Sequence, residues 1–343
     1  MWRLTTGTIF SIVPYRLINN ATFMAQPMIN VLNFDMVLDA ATAEGTDGDP
    51  DSPFTQVRYM DIAKELSKVN RKLYRSARRY AIAGIQVIAE EGSSVSFSVI
   101  PDTWVSKNAI KKGFHMWQKM NQRVLADNPS LKPTWHDFKV FMDPSHRSNS
   151  LYDLRCTVDF DAAPYTNGEW ARSQLVFPWT AADNNTSGST EAWIHVLGNH
   201  IDNTGAYANF NPATILSVGL LEAYKESRAI AQSPSPDISQ TPNVHPYAGL
   251  FDDGDTNEDI QANLDGSNDH APYPTSIENL GGRAYNAAEI RVQSSEVINM
   301  TNGFVAPCGL VKVQTSQTTG IMRLKVFLVP ADNQYGVATE AII

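Results

Sequence analysis

The amino-acid sequence predicts a mainly β protein: an antiparallel β-sandwich, such as a jelly roll, with inserted helices and long loops. Three observations support this fold class, namely eleven strand-like runs, only three helix-like segments, and long polar connections between them. The first half of the chain lacks the alternation of strands and helices that builds a doubly wound nucleotide-binding fold. We therefore expect two packed antiparallel sheets.

The predicted strands are apolar or alternating runs that end at turn-forming residues. They span residues 4–13, 28–38, 81–89, 94–100, 136–142, 151–160, 173–177, 192–197, 290–298, 309–314 and 322–329. In residues 94–99, serine alternates with valine and phenylalanine, which is typical of a sheet with one buried and one hydrated face. Residues 323–328 alternate in a similar way, with Leu324, Val326 and Leu328 on one face.

Three helices are predicted between the strands. The first spans about 60–80 and begins at Asp61, whose carboxylate suits the positive end of a helix. The second spans about 103–126, with apolar residues spaced for one buried side and lysines on the outside. The third spans 212–231, where Asn211 fits the cap and Pro212 fits the first turn.

The first helix concentrates positive charge. At about 100° per residue, seven cations fall on one side of the helical wheel and six apolar residues fall on the other. The cations are Lys64, Lys68, Arg71, Lys72, Arg75, Arg78 and Arg79. Such a helix can pack on a core and present a row of cations to a polyphosphate. Tyr74 lies at the edge of this row and is the aromatic candidate for stacking on unpaired bases.

Charge is also segregated along the whole chain. The net charge is -9, yet residues 58–147 contain 16 Lys and Arg against eight Asp and Glu, whereas residues 148–343 contain nine against 22. This asymmetry favours two surfaces with different partners. A solvated helix face, or charges that intermix once the chain is folded, is the simpler interpretation of the same pattern.

Length and composition favour a globular protein with a large core. The chain has 343 residues, of which 43% are hydrophobic and 18% charged. We expect one elaborated domain over residues 1–343, with loop-rich insertions around 40–56, 181–190 and 233–282 that are candidates for a projecting region; a two-domain β protein is the alternative. The sequence contains no apolar run of about 18 residues, so no transmembrane helix is predicted. Cys156 and Cys308 are predicted to be buried free thiols.

The sequence carries none of the motifs of a serine hydrolase, a P-loop or a zinc protease. We therefore predict no catalytic residues and no enzyme. His195 and His200 lie five apart, and on a strand they would point to opposite faces, which is poor for shared metal ligation. Structural roles are predicted for both.

An acidic stretch over residues 252–269 raises the question of calcium. It begins with the spacing of an EF-hand loop, but the glycine and the final glutamate that such a loop needs are missing. We predict no cofactor. A looser Ca²⁺ site at a subunit interface, through Asp252, Asp253 and Asp255, ranks below a solvated loop.

Four segments of the chain carry a resemblance to a known family. They are SKVNRKLYRSARRY at 67–80, DTWV at 102–105, TWHDFKV at 134–140 and FVAPCGL at 304–310. In these segments the chain resembles the capsid proteins of small circular Rep-encoding single-stranded DNA (CRESS-DNA) viruses. The resemblance covers about residues 55–160 and 285–340, and the middle third has none.

This resemblance implies a viral jelly-roll subunit that self-associates into an icosahedral shell. It also implies a basic inner surface that packages a single-stranded nucleic-acid genome, a host-cell receptor as a further partner, and residence in the virion or, during assembly, in the host cell; no membrane partner is expected. Many such capsid proteins begin with an Arg-rich arm, whereas residues 1–57 here contain only Arg3 and Arg16. Ordered elements, above all the first helix, would then have to meet the genome.

Two other functions are consistent with a β-sandwich. A non-viral, lectin-like module for glycans is favoured by polar loops that carry aromatic residues, with Trp193 and Tyr207 close together in the sequence. A hydrolase that uses loop carboxylates ranks last, since no pair of acids can be singled out.

Overall fold

The computed structural model describes residues 28–38, 54, 56–133, 135–148, 153–180, 187–229, 284–294 and 298–343. These ranges contain fifteen strands and four α-helices. The prediction of a mainly β protein is confirmed. The predicted strand at 4–13 and most of the three loop-rich insertions lie outside the described residues.

Seven strands form the first sheet. They are β1 (Val31–Leu38), β3 (Arg78–Ile88), β5 (Cys156–Thr157), β11 (Asn299–Met300), β12 (Phe304–Pro307), β14 (Gly320–Leu328) and β15 (Thr339–Ala341). Their central order is β5-β1-β14-β3, and β11, β12 and β15 all pair with the long strand β3. Every one of these pairings is antiparallel.

Four strands form the second sheet, which is also antiparallel. They are β2 (Gln56–Asp61), β4 (Ser94–Val99), β10 (Tyr285–Arg291) and β13 (Leu310–Thr315), in the order β10-β4-β13-β2. Counted along the chain, β1 pairs with β14, β2 with β13, β3 with β12, and β4 with β10. Among these eight strands the first thus pairs with the last, the second with the last but one, and so on inward. This pairing is that of a jelly roll, so the predicted sandwich is confirmed.

The two sheets pack face to face over an apolar core. Phe34 of β1 pairs with Leu324 of β14, Phe97 of β4 pairs with Val313 of β13, and all four side chains are fully buried. Because successive strand residues point to opposite faces, every second residue joins this core. The inward faces predicted for residues 94–99 and 322–329 are confirmed.

The hydrated face predicted for β4 is wrong. Ser96 and Ser98 are only 2% and 4% exposed. The outer side of the second sheet carries a second packed layer, which contains Tyr59 of β2 and Leu310 of β13. Small hydroxyl side chains therefore lie under that layer rather than in water.

The second layer is built from the chain between β4 and β10. It holds a third sheet with the order β6-β7-β9-β8, in which β7 and β9 run parallel. Its elements are α2 (Trp104–Asp127), a 3₁₀ turn (Pro129–Leu131), α3 (Pro144–Ser148), β6 (Gln174–Thr180), β7 (Ser187–His195), β8 (Ile201–Asp202), β9 (Ile215–Gly219) and α4 (Leu220–Ala229). Trp117, Phe138 and Ile194 form the centre of its core.

The second predicted helix is confirmed almost to the residue. Helix α2 begins after Thr103, whose hydroxyl accepts a hydrogen bond from Ser106 N–H at 3.2 Å. Its buried side includes Ile110 and Trp117. At Gly113 the helix passes so close to α4 that a Cβ would lie 2.6 Å from Leu220. These contacts hold α2 rigidly on the molecule.

The other two helices are shorter than predicted. The first, α1, spans only Ile62–Asn70, because Arg71 adopts the left-handed conformation (φ 53°) and Arg78 begins strand β3. The third, α4, begins at Leu220 rather than 212. Asn211 starts a turn instead of capping a helix, since its side chain accepts from Ala213 N–H at 3.0 Å, and a strand precedes α4.

Three predicted strands are also wrong in extent. Residues 136–142 make only an isolated bridge at Phe141, and the described residues 153–160 contribute the two-residue β5 and an isolated bridge at Asp153. The strand predicted at 290–298 overlaps only the end of β10, which stops at Arg291. Cys156 and Cys308 are free and buried, as predicted. Burial raises the pKa of the Cys308 thiol to about 12, so that thiol is inert at neutral pH.

Candidate nucleic-acid interface

The predicted start of the basic helix is confirmed. Asp61 accepts a hydrogen bond from Lys64 N–H at 3.0 Å, which caps α1. The second carboxylate oxygen of Asp61 accepts from Trp170 at 3.2 Å and from Arg172 at 2.9 Å. The cap therefore also ties α1 to the chain that follows β5.

Two of the predicted cations on α1 form ion pairs within the protein. Lys64 lies 3.4 Å from Asp153, and Lys68 lies 2.6 Å from the fully buried carboxylate of Glu65. The side chains of Lys64 and Lys68 are only 13% and 12% exposed. An ammonium group that is needed to neutralise a buried acid is not available to a phosphate.

Arg78 and Arg79 lie on strand β3 rather than on a helix. Arg79 contacts Asp102 at 2.6 Å and also pairs with Glu340. Arg78 donates to Thr339 Oγ1 at 3.0 Å, and its guanidinium lies over the ring of Tyr335. Both arginines therefore bind the C-terminal part of the chain to β3.

Tyr74 is not a stacking surface in this structure. Its ring is fully buried, and its hydroxyl donates to the Tyr335 carbonyl at 2.7 Å. Burial raises the pKa of this hydroxyl above its ordinary value. The helical wheel placed Tyr74 at the edge of the cationic row, but the chain leaves the helix at Arg71 and turns Tyr74 inward.

Three of the eight predicted residues face solvent. They are Arg71, Lys72 and Arg75. Lys72 donates weakly to the Gln334 carbonyl at 3.4 Å. Arg75 lies 3.1 Å from the buried carboxylate of Asp137 but keeps 55% of its side chain exposed. These three are what remains of the basic face predicted for residues 60–80.

A second row of cations lies on α2. Lys111, His115, Lys119 and Arg123 are four residues apart and all exposed, so they follow one side of the helix over about 18 Å. Within the described residues, none of the three permanent cations has an ion-pair or hydrogen-bond partner among the interactions of this structure. Asp127, at the last position, is the one acid of this helix. The row therefore projects uncompensated charge into solvent.

Buried charge of both signs underlies α1. Asp143 accepts from the Tyr59 hydroxyl at 2.8 Å, and Lys312 lies 3.8 Å away. His146 donates to Asp153 at 3.0 Å, since its other nitrogen accepts from Met142 N–H. Burial opposes ionisation of Asp153, but His146, Arg172 and Lys64 together hold the pKa of this carboxyl below its ordinary value.

His195 and His200 both have structural contacts. His195 donates to the Asn199 carbonyl at 2.9 Å and accepts from the Ser217 hydroxyl at 2.6 Å. Burial lowers its pKa to about 3, so the ring is neutral. His200 accepts from Gly219 N–H and pairs through its other nitrogen with Glu226 at 3.0 Å. Neither ring has a free nitrogen for a metal.

An apolar cleft of about 260 Å³ lies between α2, α4 and the third sheet. Its lining includes Met116, Phe177, Phe210, Leu220 and Tyr224. Sugar hydroxyls need hydrogen-bond partners when they leave water. The lining also includes the polar side chains of Lys112, His200, Glu226 and Ser227, so the cleft does not test the glycan-binding alternative.

Within the described residues, no group of three His, Cys, Asp or Glu side chains is arranged to hold a metal ion. Asp252, Asp253 and Asp255 lie outside that part of the chain, so the loose calcium site and the absence of cofactors stay predictions. The prediction that the protein is not an enzyme also stays a prediction. No helix of the described segments is long and apolar enough to cross a membrane.

No protein-family model matches the chain, and searches of curated proteins and of solved structures found no match.

Proposed function

We propose that this protein is the structural subunit of a viral shell, which self-assembles and packages a single-stranded nucleic-acid genome. The observation that carries the proposal is the row of exposed, uncompensated cations on α2, Lys111, Lys119 and Arg123. Charges on a rigid, anchored helix keep a fixed spacing, which suits the regular charges of a phosphate backbone.

The jelly roll supports the proposal without deciding it. Viral capsid proteins, lectins and cupins share this fold, and function follows from sites rather than folds. The resemblance of four segments to CRESS-DNA capsid proteins favours the first of these classes. Residence in the virion and recognition of a host-cell receptor are parts of the same proposal.

The genome contact moves from α1 to α2 in this proposal. Lys64, Lys68, Arg78 and Arg79 act within the subunit, where each neutralises or binds a neighbouring group. Arg71, Lys72 and Arg75 are further exposed cations outside α2. Ordered elements thus take the part that an Arg-rich arm plays in many capsid proteins of the resembled family.

Self-assembly is tested first, on the full chain. Negative-stain images and light scattering after size exclusion should reveal closed particles of uniform diameter. A protein that remains monomeric at every salt concentration and protein concentration tried would contradict the proposal.

Genome contact is tested with matched triple variants. Lys111→Gln, Lys119→Gln and Arg123→Gln together should leave assembly intact but reduce the ratio of absorbance at 260 to 280 nm of purified particles. A control triple with the same change of charge uses three other exposed cations, Arg155→Gln, Lys225→Gln and Arg291→Gln. Equal nucleic-acid content in both triples would refute the role assigned to α2.

A further inference from the structure

Trp135 is an exposed aromatic residue on a well-held segment. Its side chain is 54% exposed, and its carbonyl accepts a hydrogen bond from Lys139 Nζ at 3.2 Å. Two residues further, Asp137 accepts from Ser76 N–H at 3.1 Å. The indole thus lies on a backbone that is fixed on its C-terminal side.

The neighbouring residue attaches this segment to α2. The ring of His136 stacks on Trp117 with centroids 4.7 Å apart, and Phe138 packs against Trp117 and Phe114 inside the core. Trp117 lies in the middle of α2 on its buried side, opposite the cationic row, so Trp135 is held beside the helix by a contact with its core face.

Trp135 has a lysine on each side in the sequence, Lys132 and Lys139, and Lys139 Nζ lies 3.2 Å from its carbonyl oxygen. Lys132, three residues earlier, is exposed, and Arg75 reaches Asp137 with more than half of its side chain in solvent. Burial and then the charges of Lys132 and Lys139 lower the pKa of His136. An exposed indole among cations has the two components that bind single strands: a ring for a base and charges for phosphates.

Other exposed aromatic residues lack this setting. Trp104 is 48% exposed, but its ring packs edge-on against Tyr224, and the nearby charges of Asp102 and Lys107 cancel in an ion pair. Tyr207 is exposed on a loop organised by the carboxylate of Asp202. Exposure alone therefore does not single out Trp135; the cationic surroundings do.

We propose that Trp135 is a stacking platform for an unpaired base of the packaged strand, with Lys132 binding a flanking phosphate. This inference rests on the proposed function and identifies the residue on which the flat face of a base stacks. It supplies the aromatic contact that buried Tyr74 cannot make. Because every base has a π-face, the platform takes single strands without sequence preference.

The test compares a 20-nucleotide oligo-dT with an abasic strand of the same length, each labelled for fluorescence anisotropy with the full-length protein. Trp135→Ala should raise the Kd for oligo-dT by about 5- to 150-fold and change the Kd for the abasic strand by less than about twofold. Trp135→Phe should retain most of the affinity. The matched control Trp104→Ala should bind both strands as the wild type does.

Each other outcome is decisive. An unchanged Kd of Trp135→Ala for oligo-dT, or an equal loss on both strands, overturns the platform and leaves the proposed function standing. Failure of the wild type to bind either strand overturns the proposed function as well. If Trp135→Ala does not fold, quenching of tryptophan emission by oligo-dT replaces it: the quenching should persist in Trp104→Phe and be lost in Trp135→Phe, and its persistence in both overturns the platform.

Discussion

Helices α1 and α2 both carry several cations, but they lie in different parts of the molecule and differ in their counter-ions. Helix α1 connects two strands of the jelly roll, where Lys64 and Lys68 neutralise the buried acids Asp153 and Glu65. Helix α2 belongs to the inserted layer and holds Lys111 and Lys119 in solvent without partners in the described chain. The difference teaches that a charged helix face has a function outside the subunit only where the fold supplies no counter-ions.

The largest expected effect is a difference in the free energy of unfolding between a variant of an ion-paired lysine on α1 and a variant of an unpaired lysine on α2. Lys68→Met leaves the carboxylate of Glu65 buried and unpaired, so it should lower the free energy of unfolding by about 3–5 kcal/mol. Lys119→Met, the matched change on α2, should alter it by no more than about 0.5 kcal/mol. Urea denaturation of both variants measures this.

A double variant sharpens the same comparison. Adding Glu65→Met to Lys68→Met removes the stranded charge, so part of the loss should be recovered, although Cys156 N–H then loses its acceptor. Equal stability of Lys68→Met and Lys119→Met would show that the ion pair of α1 contributes little.

Acid should weaken the inserted layer before it weakens α1. The pKa of His195, on β7, is lowered to about 3, so between pH 6.5 and 3 the unfolded chain binds more protons and stability falls as pH falls. At pH 5 the loss is about 2 kcal/mol. The pKa of Asp153 is lowered, so its contribution is complete above the unfolded value near 4 and is lost only below it.

Hydrogen exchange at pH 7 and pH 5 distinguishes the two regions. Amides of β7 and β9 should lose protection at pH 5, whereas those of α1 should keep it. His195→Gln keeps a donor and an acceptor at this position and should reduce the pH dependence. Uniform loss of protection in both regions would mean that other groups dominate the acid response.

Much of the fold is predictable from the sequence because local signals agree with the tertiary structure. The alternation in residues 94–99 assigned the core face of β4, the cap at Asp61 located the start of α1, and the spacing of apolar residues located α2. These signals are local: a strand face or a helix start depends on residues within one or two turns.

The candidate site was less predictable because its outcome depends on distant residues. Lys64 and Asp153 are 89 residues apart, and Arg75 and Asp137 are 62 apart, so no wheel drawn on one segment could reveal these pairs. The helical wheel also predicted that α1 continues into residues that belong to β3, since a short amphipathic run fits both the helical period of 3.6 residues and the strand period of two. The exposed row on α2 was visible in the sequence, but its lack of counter-ions was not.

A smaller effect concerns binding rather than stability. The triple change at Lys111, Lys119 and Arg123 should reduce the slope of log Kd against log salt concentration by about 2, since each lost phosphate contact on a single strand contributes about 0.7. Lys64→Gln should leave that slope unchanged, because this ammonium group is engaged by Asp153. Anisotropy titrations of oligo-dT between 50 and 200 mM salt measure both slopes, and a reduced slope in Lys64→Gln would return α1 to the interface.

The smallest effect lies at Arg71, where the two uses of charge meet. Its left-handed backbone (φ 53°) ends α1, and a side chain in that conformation costs about 1 kcal/mol relative to glycine. Arg71→Gly should therefore raise the free energy of unfolding by about 0.5–1 kcal/mol while reducing the salt slope by about 0.7. Arg71→Lys should change neither quantity. If Arg71→Gly gains stability with no change of the salt slope, Arg71 has no part in binding. If the free energy of unfolding and the salt slope both fall, the Arg71 side chain contributes to the folded structure and to nucleic-acid binding.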